Sequence, residues 1–156
     1  MKVLVVGSGG REHAIIKKIK ENKNVETIYA YPGNGGMKDD AVLVSGSATD
    51  IEGVVSFAKT NKVDYVVVTP DDPLVLGMVD ALEKEGIPCF GPKKNAAIIE
   101  GSKVFSKNLM KKYGIPTPPM RSSMTSIRPL RMSKPVQSQP SSKPMVLRLV
   151  RELSLL

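Results

Sequence analysis

The sequence predicts an α/β domain with a doubly wound, five-stranded parallel sheet, followed by a largely irregular tail. Short apolar runs, several of them rich in β-branched residues, alternate with amphipathic segments of helical period. Most connections between these segments are short, as in right-handed βαβ crossovers. Proline and serine accumulate after residue 117, where the alternation ends.

Five apolar runs predict the strands. The fourth, VDYVVV, is a continuous β-branched run, which is typical of a strand covered on both faces. The predicted strands are residues 2–6, 25–31, 41–44, 63–68 and 87–90.

Five segments of helical period alternate with and follow these strands. Asp50 can cap the second helix, and Gly86 and Gly114 are placed to end the third and the fifth. The predicted helices are residues 11–22, 50–61, 74–86, 93–100 and 102–114. The apolar stripe of the first helix consists of Ala14, Ile15, Ile16 and Ile19.

Three loops follow predicted strands: GSGGRE at 7–12, PGNGG at 32–36 and TPDDPL at 69–74. The carboxyl ends of parallel strands lie at one edge of the sheet, and ligands bind at that edge near the topological switch point. We therefore expect the three loops to meet at a ligand site.

The glycine loop at 7–12 lacks the full pattern of a dinucleotide site. Gly7 and Gly9 fit G-x-G-x-x-G, but Glu12 occupies the third glycine position and the second strand ends without an acidic residue. No Gly-Lys-Ser/Thr sequence closes the loop, which excludes a P-loop. A turn that presents backbone N–H groups beside Arg11 suits a phosphate monoester. Alternatively, the glycines only permit a tight turn and Arg11 is solvated.

Other polar residues have a structural and a functional interpretation. His13 is interpreted as covering the helix surface rather than as catalytic. Asp71 and Asp72 either bind ribose hydroxyls or cap the helix at residue 74, and taken alone they favour capping. Cys89 is interpreted as a small packing residue at a strand end. As the single cysteine it excludes an internal disulfide and any multi-cysteine metal site.

The basic charge of the chain is unevenly distributed. The 156 residues carry a net charge of +8; residues 1–117 hold 16 Lys and Arg against 14 Asp and Glu, and residues 118–156 hold 7 against 1. The tail has no aromatic residue and no charge cluster, so nucleic acid is not a favoured partner. No signal-peptide pattern or membrane-spanning run occurs in the sequence, which favours a cytoplasmic location and no membrane partner.

Four segments in combination resemble one family: GSGGREHA, PGNGG, PDDPLVLGMVDAL and GPKKNAAIIEGSK. They are similar to the N-terminal part of glycinamide ribonucleotide synthetase, also called phosphoribosylamine–glycine ligase, of the ATP-grasp superfamily. The resemblance covers residues 1–117 and implies a Rossmann-like, pre-ATP-grasp fold. Thr69 and Asp71 depart from it, because many relatives have glycine and glutamate there.

The resemblance implies an ATP-dependent C–N ligase of de novo purine (IMP) biosynthesis. Such an enzyme joins phosphoribosylamine to glycine through a glycyl phosphate, forming glycinamide ribonucleotide, ADP and phosphate. We expect the loops to bind the phosphoribosyl group. The residues expected to bind it are Gly9, Gly10, Arg11, Glu12, Pro32, Gly33, Asn34, Asp71 and Asp72.

Lys103 matches a family lysine that approaches the ATP phosphates; its alternative is a solvated helical lysine. The family uses ATP with Mg²⁺ or Mn²⁺, but the metal, the glycine site and most of the ATP site belong to later domains, an ATP-grasp and a C-terminal domain. We therefore expect a truncated N-terminal fragment with no catalytic residue, no tightly bound cofactor and no ligase turnover of its own.

The tail has two interpretations. Residues 118–156 contain 6 of the 12 prolines and 8 serines, which is typical of a flexible basic arm. However, codons permitted for KPMVLRLVRELSLL, read from the third base, yield a glycine-rich segment that resembles the family's ATP loop, and SSMTS can yield Phe-Asp-Asp. We therefore favour a frameshift between Thr117 and Arg121.

Three regions follow from these observations. Residues 1–101 form the N-terminal α/β domain, 102–117 a helix leading toward the ATP-grasp domain, and 118–156 a basic tail that is out of frame. Two other functions stay open: a non-catalytic phosphoribosyl-binding module, and a nucleic-acid adaptor that acts through the tail.

Overall fold

The sheet has five parallel strands in the order β3-β2-β1-β4-β5. A computed structural model describes residues 1–118 of the chain. The strands are β1 (Lys2–Gly7), β2 (Thr27–Pro32), β3 (Val42–Leu43), β4 (Tyr65–Val68) and β5 (Cys89–Phe90). The predicted doubly wound parallel sheet is confirmed, whereas the predictions for the tail fall on residues outside those described.

Helices connect the strands and follow the last one. Within residues 1–118 they are α1 (Gly10–Lys20), α2 (Ile51–Thr60), α3 (Asp71–Leu76), α4 (Met78–Lys84), α5 (Lys94–Gly101) and α6 (Lys103–Lys112). A single 3₁₀ turn, Gly35–Met37, lies between β2 and β3. None of the helices in this part of the chain combines the length and apolar character that a membrane span requires.

Both faces of the sheet are buried, which explains the continuous apolar runs. Side chains of β1 alternate between two cores: Leu4 and Val6 belong to one, Val3 and Val5 to the other. The first core also takes residues from α2 and α4. The second core is closed by Ile16 of α1.

The strand order places the switch point between β1 and β4. The chain runs from β1 outward through β2 to β3, then returns to pair β4 with the other side of β1. Val6 pairs with Val68, and Gly7 pairs with Pro32. The loops after β1, β2 and β4 therefore leave the sheet side by side, as expected.

Two predictions about the helices are wrong in detail. The segment 74–86 is not one helix, because α3 ends at Leu76 and α4 begins at Met78. Gly77 between them has φ +98° and donates its N–H to the Pro73 and Leu74 carbonyls. Ala14 is exposed rather than part of the apolar stripe, because it lies about 200° around the helix from the buried Ile16.

The capping predictions have separate outcomes. Asp50 caps α2 by accepting a hydrogen bond from the Gly53 N–H at 3.0 Å, as predicted. Asp71 and Asp72 do not cap a helix at residue 74; they lie inside the first turn of α3, after Pro70 as the N-cap residue.

Candidate functional site

A cavity of about 320 Å³ opens at the switch point between β1 and β4. Its lining comes from the β1–α1 turn, from Pro70, Asp71 and Asp72 after β4, and from Ala48 in the loop after β3. Two larger grooves, of about 540 and 700 Å³, lie along β3 and between α2 and α4. We place the candidate site at the switch point, because ligands of such sheets bind at the carboxyl ends of the strands.

The glycines of the β1–α1 turn make room for the side chain of Glu12. Gly7 has φ +128°, and a Cβ atom there would lie 2.6 Å from Glu12 Cγ. A Cβ atom on Gly9 would lie 2.6 Å from Glu12 Oε2. The pattern that suggested a dinucleotide loop therefore accommodates an internal carboxylate.

Glu12 belongs to the cavity lining, but its side chain is buried, with 6% exposure. Its Oε2 accepts the Gly9 N–H at 2.7 Å, and its Oε1 accepts the Thr69 hydroxyl at 2.8 Å. The Thr69 hydroxyl also lies 3.2 Å from the Val6 carbonyl oxygen. Glu12 was expected to bind substrate; the structure uses both of its oxygens to hold two loops together.

The N-terminus of α1 offers hydrogen-bond donors beside the cavity. Within residues 1–118 no acceptor reaches the amides of Gly10, Arg11 and Glu12, and the exposed Arg11 has no ion pair. A Cβ atom on Gly10 would meet no atom within 4 Å. Helix N-terminal amides and a guanidinium group together favour an anion.

The other side of the cavity is acidic. Asp71 and Asp72 are exposed, and their carboxylates make no hydrogen bond to other described residues. Carboxylates act only as acceptors when ionised, so this side suits hydroxyl or amine groups. The cavity thus has an end for an anion and an end for hydrogen-bond donors.

The loop after β2 supports the glycine turn from outside the cavity. Asn34 accepts the Gly36 N–H at 2.8 Å and donates to the Ser8 carbonyl at 2.6 Å. Gly33, with φ +70°, donates its N–H to the Gly7 carbonyl at 3.0 Å. Pro32, the last residue of β2 before this loop, follows a cis peptide bond. The sequence placed Pro32, Gly33 and Asn34 in the site, and the structure places them behind its glycine turn.

His13 fastens the far end of the same loop to α1. Its Nε2 is 2.9 Å from Asp40 Oδ2, and Lys20 Nζ is 3.0 Å from Asp40 Oδ1. The hydrogen bond from His13, and then that from Lys20, holds the pKa of Asp40 below its ordinary value. His13 does not line the cavity, in agreement with its interpretation as a surface residue.

Two other singled-out residues lie apart from the cavity. Lys103 is exposed at the first position of α6. Cys89 begins β5, and burial raises the pKa of its half-buried thiol. In the described part of the chain no three His, Cys, Asp or Glu side chains form a group that could hold a metal ion.

Thr69, Ser8 and Ala48 were not assigned to the site from the sequence. Ser8 lies within the glycine loop and Thr69 directly precedes Pro70, so proximity to those motifs was the available signal. Ala48 comes from a loop without any motif, and only the fold brings it to the cavity.

Comparisons with known proteins support the resemblance. The family model described as phosphoribosylglycinamide synthetase, N domain, matches residues 1–100. A phosphoribosylamine–glycine ligase of Listeria monocytogenes is 58% identical over 118 residues, which cover 75% of this chain and 28% of the relative. The chain therefore spans about a quarter of the length of the curated relatives that it matches.

Solved structures agree with the fold. The phosphoribosylamine–glycine ligase of Thermotoga maritima matches with a TM-score of 0.51 and 33% identity, over 73% of this chain and 25% of that one. The biotin carboxylase domain of a Hydrogenobacter thermophilus 2-oxoglutarate carboxylase matches with a TM-score of 0.58 and 21% identity, over 76% and 28%. The second likeness concerns the fold alone.

Proposed function

The chain belongs to the phosphoribosylglycinamide synthetase family, whose N domain it carries, and from this we propose that it forms the phosphoribosyl side of a phosphoribosylamine–glycine ligase site. In the proposed reaction ATP activates the glycine carboxylate as glycyl phosphate, and the amine of phosphoribosylamine attacks it. The products are glycinamide ribonucleotide, ADP and phosphate, in purine biosynthesis.

The presence of Arg11 in the cavity lining, next to the free amides at the start of α1, is the observation that carries the proposal. A sugar phosphate has a dianionic group at one end, which needs several donors and a cation. Arg11, which lines the cavity, is proposed to supply the cation, and the free amides of Gly10 and Arg11 at the start of α1 are proposed to supply the donors.

Asp71 and Asp72 are proposed to accept hydrogen bonds from the ribose hydroxyls. They line the cavity opposite the glycine turn, and their carboxylates have no partner among the described residues. In this orientation the phosphate lies at α1 and the sugar lies toward α3. Gly9 and Glu12 are proposed to form the cavity wall beside the phosphate. Pro32, Gly33 and Asn34 are proposed to support the glycine turn from outside the cavity.

ATP and the metal are proposed to be held mainly outside residues 1–118. Lys103 is the one residue of this chain proposed to approach ATP phosphates, and it does not line the cavity. The described residues do not form a group of three or more His, Cys, Asp or Glu side chains, and the magnesium or manganese ion that the family uses is proposed to be held by residues outside them. The contribution of residues 1–118 to the proposed reaction is therefore to bind and orient the substrate.

The domain boundaries stay a proposal. Residues 1–101 end with α5. Ser102, which has an extended backbone (φ −135°), separates α5 from α6 and caps α6 by accepting a hydrogen bond from the Phe105 N–H. We propose that α6 and residues to 117 lead toward the ATP-grasp domain.

Titration of the 156-residue chain with glycinamide ribonucleotide, followed by ¹H–¹⁵N NMR, tests the proposal. Shifts of the Gly10 and Arg11 amides that saturate at millimolar ligand are expected. Arg11→Ala should weaken binding about tenfold, because a charge-assisted hydrogen bond is lost. Lys23→Ala removes the same charge from an exposed site away from the cavity and should leave binding unchanged.

Two results would argue against this function. One is that no amide resonance of the unsubstituted protein shows a saturable shift. The other is equal weakening by Arg11→Ala and Lys23→Ala, which would indicate only non-specific attraction to a basic protein.

A further inference from the structure

We propose that Thr69 is a positioning residue of the sugar-phosphate site: its hydroxyl holds the Glu12 carboxylate, which in turn holds the Gly9 amide and the first turn of α1. The proposal rests on the proposed function, because the site so positioned is the one assigned to the phosphoribosyl group. Thr69 itself does not line the cavity.

The buried carboxylate of Glu12 requires hydrogen-bond donors for both of its oxygens. Glu12 is the one buried charged side chain among residues 1–118, with 6% exposure, and a buried carboxylate is stable only when its oxygens are hydrogen-bonded. Gly9 satisfies one oxygen at 2.7 Å and Thr69 the other at 2.8 Å. Without the hydroxyl, Oε1 loses its donor within the protein.

The second step is the close fit of Glu12 to the glycine turn. Its Cγ and Oε2 lie so near Gly7 and Gly9 that a methyl group at either glycine would come within 2.6 Å of them. Rotation of the Glu12 side chain toward water would therefore break the Gly9 hydrogen bond and displace the turn. Displacement of Gly9 moves the cavity-lining Arg11 and the free amides of the first turn of α1.

The third step is the position of Thr69 in the sheet. It directly follows β4, whose last residue, Val68, pairs with Val6 of β1. Its hydroxyl lies 3.2 Å from the Val6 carbonyl and 2.8 Å from Glu12. Thr69 thus joins the strand end that carries Asp71 and Asp72 to the turn that carries Arg11, and sets the distance between the two ends of the site.

Thr69→Val tests the role of the hydroxyl, because valine has nearly the same shape and β-branching but no donor. In ligand-free protein the Gly9 amide resonance should move upfield, since its hydrogen bond to the carboxylate weakens. Binding of ribose 5-phosphate, measured by NMR titration of the full 156-residue chain, should weaken about fivefold. Thr69→Ser, which keeps the hydroxyl, should restore both values close to those of the natural sequence.

A second variant approaches the same hydrogen bonds from Glu12 and covers the case in which Thr69→Val does not fold. Glu12→Gln keeps the size of the side chain but replaces one acceptor oxygen by an NH₂ group. It should move the Gly9 resonance and weaken ribose 5-phosphate binding at least as much as Thr69→Val. Urea unfolding of each variant establishes that the compared proteins are folded.

The outcomes separate this proposal from the proposed function. An unmoved Gly9 resonance with unchanged binding in Thr69→Val overturns the positioning role, as does a Thr69→Ser variant that behaves like Thr69→Val. A third outcome is that the natural sequence does not bind ribose 5-phosphate, although the Gly9 resonance moves in Thr69→Val and returns in Thr69→Ser. The hydrogen bonds from Thr69 through Glu12 to Gly9 are then supported. The assignment of the site to a sugar phosphate is then refuted.

Discussion

The Glu12 carboxylate and the Thr69 hydroxyl lie 2.8 Å apart, although 57 positions separate them along the chain. This hydrogen bond crosses the switch point of the sheet, from the start of α1 to the end of β4. It gives the buried Glu12 its second donor, and it makes the shape of the glycine turn depend on a residue outside the turn.

Gly9 and Gly10 are adjacent but should respond oppositely to alanine. Gly9→Ala places a Cβ atom 2.6 Å from Glu12 Oε2, and we expect the free energy of unfolding to fall by about 1–3 kcal/mol. Gly10→Ala meets no atom within 4 Å and lies in a helix, so stability should be unchanged or higher by up to about 1 kcal/mol. Urea unfolding measures both.

Ligand binding adds a second readout for Gly10→Ala. If the phosphate approaches the first turn of α1 closely, the new methyl group should weaken glycinamide ribonucleotide binding in a protein of full stability. Equal stability losses in the two glycine variants would contradict the described position of Glu12.

Gly77 separates α3 from α4 and should not tolerate a side chain. Its φ of +98° is unfavourable for L residues other than glycine, so Gly77→Ala should lower the free energy of unfolding by about 1–2 kcal/mol. Gly35→Ala is the matched control, because a Cβ atom there meets nothing within 4 Å and Gly35 has no positive φ. A single helix over residues 74–86 would instead be stabilised by Gly77→Ala.

Asp50 should contribute to stability through its cap on α2. Asp50→Ala removes the acceptor of the Gly53 N–H and should lower the free energy of unfolding by about 1 kcal/mol. Asp39→Ala removes an exposed carboxylate that caps no helix, and it should lower the free energy of unfolding by less than Asp50→Ala does. Thermal unfolding of both variants measures the difference. Equal losses in the two variants would show that the removal of a negative charge, rather than of the helix cap, lowers the stability.

Asp40 should make stability depend on acidic pH. His13 first, and Lys20 second, lower its pKa in the folded protein from an ordinary value of 3.8. A carboxyl group with a lowered folded pKa stabilises the fold above its unfolded pKa, and this contribution is lost as the pH falls through the folded pKa.

Asp40→Asn removes that contribution. The natural sequence should therefore be more stable than the variant at about pH 6, with the difference shrinking below about pH 4 and lost once the pH is below the lowered pKa of folded Asp40. Urea midpoints at each pH measure the difference. A stability difference that does not change with pH would show that the charge of Asp40 does not contribute. Asp39→Asn is the control, because the Asp39 side chain is not paired with His13 or Lys20.

The sequence indicated most elements through local signals. VDYVVV predicted a strand with two buried faces, and Asp50 predicted the start of α2. Gly77 was less clear, because the apolar period continues through it and glycine is tolerated within helices. Only the tertiary structure shows that Gly77 adopts a left-handed backbone with φ +98° and caps α3, although residues on both sides of it pack into the same core.

For the site, the sequence identified the loops but not the direction of each side chain. Arg11 could be placed beside the helix N-terminus from the G-S-G-G-R pattern alone. Glu12, its neighbour, is predicted to bind the ligand; it lies at the cavity, but its side chain is buried and accepts hydrogen bonds from Thr69 and Gly9. The sequence predicted the sheet edge at which Pro32, Gly33 and Asn34 lie. In the structure they do not line the cavity, and Gly33 and Asn34 contact the glycine turn that does.

By itself the sequence determined the fold class, because fold class depends on the periodicity of apolar residues along the chain. The family followed from the resemblance of four segments, and the sheet edge of the candidate site was predicted from the strand ends. The tertiary structure alone decided which polar groups pair across the switch point, since those partners are brought together by strand order. Glu12 and Thr69 show the physical reason: a buried carboxylate takes the donors that the fold places within reach, and their distance along the chain carries no signal of that pairing.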